Sequence, residues 1–169
     1  MELQEVLQKR RSVRKFTEEP VSDAQIDVLM HAAMSGPTAC NTQPWEFYIV
    51  RSAKKIDKLH SASPFTKIKA PLAIVVAGNK RRMLPAGASD YWIQDTSAAT
   101  ENILLCATDL GLGAVWCGIA PIEKSMEAVR KALELPAHIH PLNIIYLGHP
   151  AQDPEPRDQY DAKKVHFAD

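Results

Sequence analysis

A continuous apolar run, Pro71–Ala77, constrains the fold of this chain more than any other segment. A strand in which polar and apolar residues alternate can leave one face in water, whereas an unbroken apolar run needs cover on both faces. The run therefore predicts a central, doubly covered strand. With 169 residues, the chain is long enough to form one domain with a substantial core around that strand.

The patterns before and after this run predict helices and further strands. Ser22 and Gln25 form a capping box, and the apolar residues that follow recur at helical spacing until Gly36-Pro37 ends the helix. Asp90–Leu110 is the longest predicted helix. The other predicted elements are helices at Leu3–Leu7, Ala53–His60 and Ile122–Leu133, and strands at Trp45–Val50, Ala114–Cys117 and Leu142–Leu147.

The charge of the chain is balanced, with 20 basic and 20 acidic residues. A general nucleic-acid or membrane-surface binder needs a broad basic face, so the balance argues against both classes. The three cysteines form no CxxC pair and the six histidines no HExxH pattern, so we expect neither disulfides nor a metal site. His138 and His140 lie beside prolines and are expected in a loop or on the surface. No secretory leader or apolar run of about 18 residues is evident, so we expect a cytoplasmic protein.

The segment Arg10-Arg11-Ser12-Val13-Arg14, called the arginine segment below, places three guanidinium groups and a hydroxyl within five residues. Arginine keeps its charge and offers a planar fork of donors that matches the oxygens of a phosphate. Because the chain as a whole is neutral, this concentration of charge is local. The segment is a candidate phosphate site, and a solvated basic turn after a short helix is the alternative interpretation.

A second candidate is the loop that leads from Gly36 to Trp45 and contains two prolines and several small polar side chains. Its residues Asn41 and Gln43 carry amides, which can both donate and accept hydrogen bonds. Such a pair suits a heteroaromatic ring that displays both kinds of edge. The alternative is a turn in which the two amides satisfy the local backbone.

The third candidate is the stretch Gly111–Pro121, which contains three glycines. It follows a helix rather than a strand and its glycine spacing is not that of a dinucleotide-binding fingerprint. The glycines permit a flat ligand to approach the backbone closely. A glycine that stops a helix, followed by a buried turn, explains the same pattern. Cys117 has no base beside it in the sequence, so a buried thiol is expected rather than a nucleophile.

In this order and at these separations, the three segments resemble the FMN-dependent nitroreductase family in its short, single-domain form. The resemblance extends over nearly the whole chain, through RRSVRKF, GPTACNTQPW, APLAIVV, GLGAVWCGIAP and LGHPA. It implies an α+β fold, a three-layer sandwich with a mostly antiparallel central sheet flanked by helices. It also implies a single FMN-binding domain over residues 1–169 and a homodimer with FMN at the subunit interface. Residues 148–169 are then an extended, domain-swapped tail that packs on the partner subunit.

The resemblance also implies a role for individual residues. The arginine segment resembles the anchor for the phosphate, the ribityl chain and the N1–O2 side of the flavin, and a second loop contacts FMN from the other subunit. Backbone N–H groups of a third segment lie near flavin N5, and the tail supplies a last phosphate contact. The positions that match are Arg10, Arg11, Ser12 and Arg14; Pro37, Thr38, Ala39, Asn41 and Gln43; Trp116, Cys117 and Gly118; and Arg157.

The activity implied is hydride transfer from NADH or NADPH through the flavin to a small acceptor, such as a nitroaromatic or a quinone, in a ping-pong sequence. No catalytic side chain and no metal is implied, because the cofactor carries the chemistry. Cys117 would act through its main chain. The chain is short for the family and lacks the helical insertion that covers the substrate pocket in larger relatives, so Lys80–Ala88 is the candidate cover.

Two other functions fit parts of the sequence. A flavin-binding redox sensor or flavin store would bind FMN without reacting with a reduced nicotinamide. An interaction domain would use the arginine segment to contact RNA or an acidic protein. The neutral charge of the chain, and the scarcity of aromatic residues near the arginine segment apart from Phe16, argue against the interaction domain.

Overall fold

The computed structural model describes residues 1–168, which contain five α-helices and four β-strands. The helices are α1 (Leu3–Lys9), α2 (Asp23–Met34), α3 (Ala53–Leu59), α4 (Tyr91–Asp109) and α5 (Glu123–Leu133). The strands are β1 (Trp45–Val50), β2 (Leu72–Asn79), β3 (Gly113–Gly118) and β4 (Ile139–Gly148). Short 3₁₀ turns lie at Ala39–Asn41, Pro64–Thr66 and Ala162–Lys164.

The strands form one sheet in the order β1-β2-β4-β3, and every neighbouring pair is antiparallel. The strand predicted from the apolar run is β2, which lies inside the sheet between β1 and β4. Its residues from Leu72 to Ala77 are at most 1% exposed, which confirms that both of its faces are covered. The outer strands β1 and β3 form the two edges of the sheet.

Helices cover both faces and make three layers. On one face, α2 and α4 pack against alternate strand residues such as Ile74 and Ile145. On the other face, α3 and α5 pack against the intervening residues, including Val75 and Tyr146. The α+β sandwich with a central antiparallel sheet is therefore confirmed, and the alternation along each strand decides which layer a side chain enters.

Two helix ends follow the sequence signals that predicted them. The Ser22 hydroxyl accepts from the Gln25 amide at 3.2 Å, and the Gln25 side chain accepts from the Ser22 amide at 2.9 Å. Gly111 has a φ of +72° and stands just after α4. Its amide donates to Thr108 and that of Leu112 donates to Ala107, which is the double bond of a Schellman motif. This motif turns the chain directly from α4 into β3.

One sequence prediction is wrong at the start of β4. The strand begins at Ile139 rather than at Leu142, so His140 lies in the sheet and not in a loop. Pro141 argued against this extension in the sequence, because proline is disfavoured in a central strand. The sheet accommodates it at a register shift, where Val76 faces Asn143 and Ala77 faces Pro141. The His140 ring packs edge-on against the Trp92 ring with centroids 6.0 Å apart, and burial lowers its pKa.

Candidate functional site

The arginine segment runs along the free edge of β3. Ser12 forms a parallel bridge with Ala114, and the Val13 amide donates to the Ala114 carbonyl at 2.9 Å. This contact depends on a glycine, because a Cβ at Gly113 would lie 2.6 Å from Cγ1 of Val13. The structure thus brings together two of the three segments predicted from the sequence, the arginine segment and the glycine-rich stretch.

Hydrogen bonding along β3 decides which of its amides face this edge. In an antiparallel ladder, the N–H and C=O of alternate residues point to the same side. Ala114 uses its outer side for Val13, and the Ile119 amide donates inward to Leu142 at 2.9 Å. The N–H groups of Trp116 and Gly118 therefore point away from β4, whereas that of Cys117 points toward it. Of the three residues predicted to offer backbone donors, Trp116 and Gly118 direct their N–H groups to the outer edge and Cys117 does not.

Gly118 lies at the end of this edge with open space around it. It is exposed, and a Cβ built on it would have no heavy atom within 4 Å. At Gly113 on the same strand, Val13 occupies the space that a side chain would need, so the two glycines serve different purposes. A flat group can approach the backbone at Gly118 and bring an acceptor atom to its outward amide.

Arg14 gives the edge a positive charge. Burial raises the pKa of the Cys117 thiol from its ordinary value of 9.0 to about 11, and the nearby Arg14 charge opposes that rise. The two side chains are therefore close enough to interact electrostatically. Cys117 is buried and stays protonated near neutral pH, which agrees with the prediction that it is no nucleophile.

The other two arginines contact groups of the protein. Nε of Arg10 lies 3.5 Å from a carboxylate oxygen of Glu101 on α4. The Arg11 guanidinium donates to the Glu155 carbonyl in the tail. The three guanidinium groups thus have different neighbours, and Arg14 is the one whose charge reaches Cys117.

The first part of the tail packs on its own chain. The Thr17 amide donates to His149 and the Ala151 amide to Lys15, each at 2.9 Å. Within the described part of the chain, the hydrogen bonds given by residues 157–168 are local to that stretch. Arg157 is exposed there, two residues beyond the carbonyl that Arg11 contacts.

The loop Pro37–Gln43 lies at the other edge of the sheet, before β1. Cys40, Asn41 and Gln43 have φ values of +51°, +52° and +46°, a left-handed region that side-chain-bearing residues adopt at a cost. The Ala39 amide donates to Oδ1 of Asp95 at 2.8 Å, and Asp95 on α4 is only 5% exposed. A buried carboxylate therefore holds the strained loop in place.

The two amides of this loop bind each other rather than the local backbone. Nε2 of Gln43 donates to Oδ1 of Asn41 at 2.9 Å, and the Gln43 main-chain amide donates to the Thr38 hydroxyl at 3.2 Å. The Asn41 amino group and the Gln43 carbonyl oxygen stand outside that bond. The pair therefore presents one donor and one acceptor, as a ring with both kinds of edge requires.

One chain does not bring all three segments together. The arginine segment and Trp116–Gly118 lie at the β3 edge, and Pro37–Gln43 lies at the β1 edge. Three strand spacings separate the edges, which is about 14 Å at the usual distance between strands. We call the first group the β3 half-site and the second the loop half-site.

Sequence reasoning missed two parts of this arrangement. Asp95 lies within the helix α4, and an acidic residue in a helix normally faces solvent, so nothing in the sequence assigned it to the site. The segment Ser63–Ile68 lines the same cavity as Gly118, with a volume of about 670 Å³, and its exposed Phe65 gave no signal in an otherwise polar stretch. Helix α4 contains three acidic residues, Asp95, Glu101 and Asp109. The sequence did not show that Asp95 is the one that contacts the loop.

The irregular segment Lys80–Ala88 lies over an apolar cavity of about 650 Å³. Leu84 and Pro85 from the segment line that cavity together with Trp92 and His140. Among residues 1–168, His, Cys, Asp and Glu side chains do not gather in threes as a metal site requires. None of the helices between residues 1 and 168 is long and apolar enough to cross a bilayer.

Comparisons with known proteins agree with this geometry. The model of the Nitroreductase family matches residues 7–64 and 64–149. A proposed NADH dehydrogenase/NAD(P)H nitroreductase of Methanothermobacter thermautotrophicus is 38% identical over 169 residues, which covers 99% of this chain and 87% of that protein. The crystal structure of a protein of the same description from Parabacteroides distasonis matches with a TM-score of 0.92 and 38% identity, over 99% of this chain and 98% of that one.

A second solved structure includes a bound molecule in its description. It is a proposed nitroreductase from Desulfovibrio desulfuricans in complex with FMN, with a TM-score of 0.87 and 29% identity. The match covers 100% of this chain and 98% of that one. The likeness therefore extends through both half-sites and the tail.

Proposed function

Because this chain belongs to the nitroreductase family, we propose that it is an FMN-dependent oxidoreductase that uses NADH or NADPH to reduce a small acceptor. The acceptor is a nitroaromatic, a quinone or a similar compound, and donor and acceptor use one pocket in turn, in a ping-pong sequence. The observation that carries the proposal is the free end of β3, where an outward amide, an open glycine and a nearby guanidinium occur together.

The residues of the β3 half-site fit FMN in three respects. Gly118 leaves room for a flat ring system and its outward N–H is a donor suited to flavin N5. Arg14 supplies positive charge beside that position, which favours a flavin that has taken up electrons. Ser12 and the guanidinium groups of Arg10 and Arg11 supply the donors for phosphate and ribityl oxygens, with Arg157 in the tail as the closing contact.

The loop half-site would act on the FMN of the other subunit. Pro37, Thr38, Ala39 and Asn41, with Gln43 beside them, lie at the sheet edge opposite β3, which supports a site that a second copy completes. A two-fold dimer places each loop against the partner's β3 edge and creates two identical sites.

Exposed apolar side chains support such a dimer. Leu3 on α1 is 66% exposed and Met34 on α2 is 53% exposed, and both helices contact α4. In the tail, Tyr160 and Phe167 are 76% and 88% exposed. The tail, residues 148–169 of this single FMN-binding domain, presents two of these side chains beyond the stretch that bonds to its own chain, and this outer part is proposed to pack on the partner subunit.

FMN, when bound, accepts a hydride from the reduced nicotinamide and gives two electrons to the acceptor. The chain contributes position and charge. The β3 edge orients the ring, Arg14 stabilises negative charge, and Cys117 stays a neutral thiol because burial raises its pKa to about 11. The segment Lys80–Ala88, the candidate cover, lines a different cavity from the one beside Gly118.

A simple experiment tests this function. The purified protein should be yellow, release FMN rather than FAD on denaturation, and lose its absorbance near 450 nm (roughly the usual flavin band) when NADH or NADPH is added without oxygen. A nitroaromatic or a quinone should then restore the colour. Protein that binds FMN but is not bleached by either nicotinamide would instead be a flavin store or a redox sensor.

A further inference from the structure

Three side chains, two of them buried and that of His60 partly exposed, bind three carbonyl groups of the segment Ser63–Ile68. The Cys117 thiol on β3 donates to the Phe65 carbonyl at 3.4 Å. The Tyr146 hydroxyl on β4 donates to the Thr66 carbonyl at 2.8 Å. Nε2 of His60, after α3, lies 3.1 Å from the Ile68 carbonyl, which only accepts, so this ring nitrogen carries the proton.

The three donors form one cluster. The rings of His60 and Tyr146 have centroids 6.4 Å apart, and Cys117 and Tyr146 are diagonal neighbours on the same face of the sheet. Tyr146 is fully buried and Cys117 is 5% exposed. Burial raises the pKa of both groups, so both stay protonated donors at neutral pH.

The segment is also fixed from within. The Thr66 hydroxyl donates to the Ser63 carbonyl at 2.8 Å and accepts from the Ser63 amide at 3.2 Å. The Ser63 hydroxyl in turn accepts from the Phe65 amide at 3.1 Å. Thr66 is fully buried, whereas the neighbouring Phe65 is 81% exposed. A large apolar side chain is thus held outward on a rigid, fully bonded turn.

This rigid turn faces the end of the β3 half-site. Phe65 and Lys67 line the cavity of about 670 Å³ that Gly118 and Ile122 also line. Cys117 precedes Gly118 in the chain, so its thiol ties the wall of the cavity to the same strand that offers the outward amide.

We propose that His60, Cys117 and Tyr146 are positioning residues that fix Ser63–Ile68 as the rigid wall of the cavity in which the nicotinamide and the acceptor lie beside Gly118. This inference rests on the proposed function and adds a role for side chains to it. Cys117 then acts through its thiol, which holds the wall, because its backbone N–H points toward β4 rather than to the outer edge of β3.

The experiment compares Tyr146→Phe and Cys117→Ala with Cys117→Ser and with a control, Thr100→Val. The first two variants remove a donor, and the serine retains one. Thr100→Val removes two buried hydrogen bonds on the opposite face of the sheet, one accepted from the Asn143 side-chain amide at 2.9 Å and one donated to the Thr96 carbonyl at 2.7 Å. The first readout needs no flavin: it is the rate of tryptic cleavage after Lys67 and Lys69 under native conditions, which reports local opening of the segment.

Tyr146→Phe and Cys117→Ala should raise that cleavage rate about fivefold, the effect of one lost hydrogen bond. Cys117→Ser should restore most of the protection, and Thr100→Val should lower the Tm without faster cleavage at these lysines. In the FMN-loaded protein, Tyr146→Phe should raise the KM for the acceptor about fivefold with a smaller change in kcat.

Tyr146→Phe and Thr100→Val are compared under conditions in which their Tm values are equal. If Tyr146→Phe is then cleaved no faster than Thr100→Val, the three donors serve global stability alone and the inference is wrong. An unchanged KM in Tyr146→Phe, despite faster cleavage, would likewise overturn the role in substrate positioning. If the variants show the expected cleavage rates but the protein binds no FMN, the result supports the three donors as anchors of the segment Ser63–Ile68. The same result refutes the proposed function.

Discussion

The β3 half-site and the loop half-site are held by different forces. At the β3 edge, the arginine segment is attached through backbone hydrogen bonds to Ala114 and through the packing of Val13 on Gly113. In the loop, three residues have a positive φ, and the geometry depends on side chains, above all on the buried carboxylate of Asp95. The first half is therefore an extension of the sheet, and the second is a strained loop held by α4.

This difference shows how the work of a single site can be divided. A sheet edge offers a fixed row of amides and charges, which suits the reacting ring of a cofactor. A strained loop costs folding energy and is retained when it contacts something that the rest of the chain cannot reach. Variants that weaken one half and leave the other intact can test this division.

The largest effect is expected for Arg14→Ala. The variant removes the charge next to Cys117, and a hydrogen bond to a charged group contributes about 1.5–3 kcal/mol. The dissociation constant for FMN should rise roughly 10- to 100-fold, measured by flavin fluorescence during titration of the apoprotein. The paired variant Arg10→Ala with Arg11→Ala should act in the same direction.

A matched control for Arg14→Ala is Arg51→Ala, which removes an exposed arginine that pairs with Asp23. This control should bind FMN as the unmodified protein does. Full retention of FMN by Arg14→Ala and by the paired variant would contradict the assignment of the arginine segment as the anchor.

The two glycines of β3 separate ligand binding from folding. A Cβ has room at Gly118, so Gly118→Val should fold with little change in Tm but should bind FMN about tenfold more weakly, because its side chain occupies the space for the ring. At Gly113 the added Cβ would meet Val13 at 2.6 Å, so Gly113→Ala should lose about 1–3 kcal/mol of stability. Thermal unfolding and FMN titration of both variants measure this contrast. Equal effects of the two substitutions on Tm and on FMN affinity would refute it.

The Cys117 thiol contributes one part of the pH dependence of stability. The pKa of Cys117 is about 11 in the folded chain and 9.0 ordinarily, so the unfolded chain loses this proton first as the pH rises. The stabilisation is complete below pH 9 and is lost between pH 9 and 11, on the order of 3 kcal/mol. Chemical unfolding of Cys117→Ser should show a shallower loss over this window, and parallel curves for the two proteins would contradict the assigned cause.

Much of the fold could be predicted from the sequence because its signals are local. The apolar run that became β2, the capping box at Ser22 and the glycine after α4 each act within a few residues. The arginine segment and the glycine-rich stretch were also visible as patterns. Their contact was not, because it depends on an isolated bridge between Ser12 and Ala114, about a hundred residues apart in the chain.

The parts that could not be predicted are those that depend on long-range packing. Asp95 belongs to the site because α4 passes beneath the loop, and no helical periodicity reveals that contact. The direction of each β3 amide follows from strand register, which separates Gly118 from Cys117 although both are neighbours in sequence. The position of Phe65 depends on hydrogen bonds that the side chains of Cys117, Tyr146 and His60 donate to carbonyl groups of the segment Ser63–Ile68.

The central claim is that one FMN site combines the β3 half-site of one subunit with the loop half-site of the other. The most direct test is a mixed dimer of an Arg14→Ala chain and an Asp95→Ala chain, co-expressed with two different tags and purified through both. Each homodimer should bind FMN poorly. The mixed dimer should recover one tight site per pair of chains, formed by the intact β3 edge of the Asp95→Ala chain and the intact loop of the Arg14→Ala chain. A mixed dimer that binds no more FMN than the two homodimers would contradict the claim, because each site would then lie within a single chain.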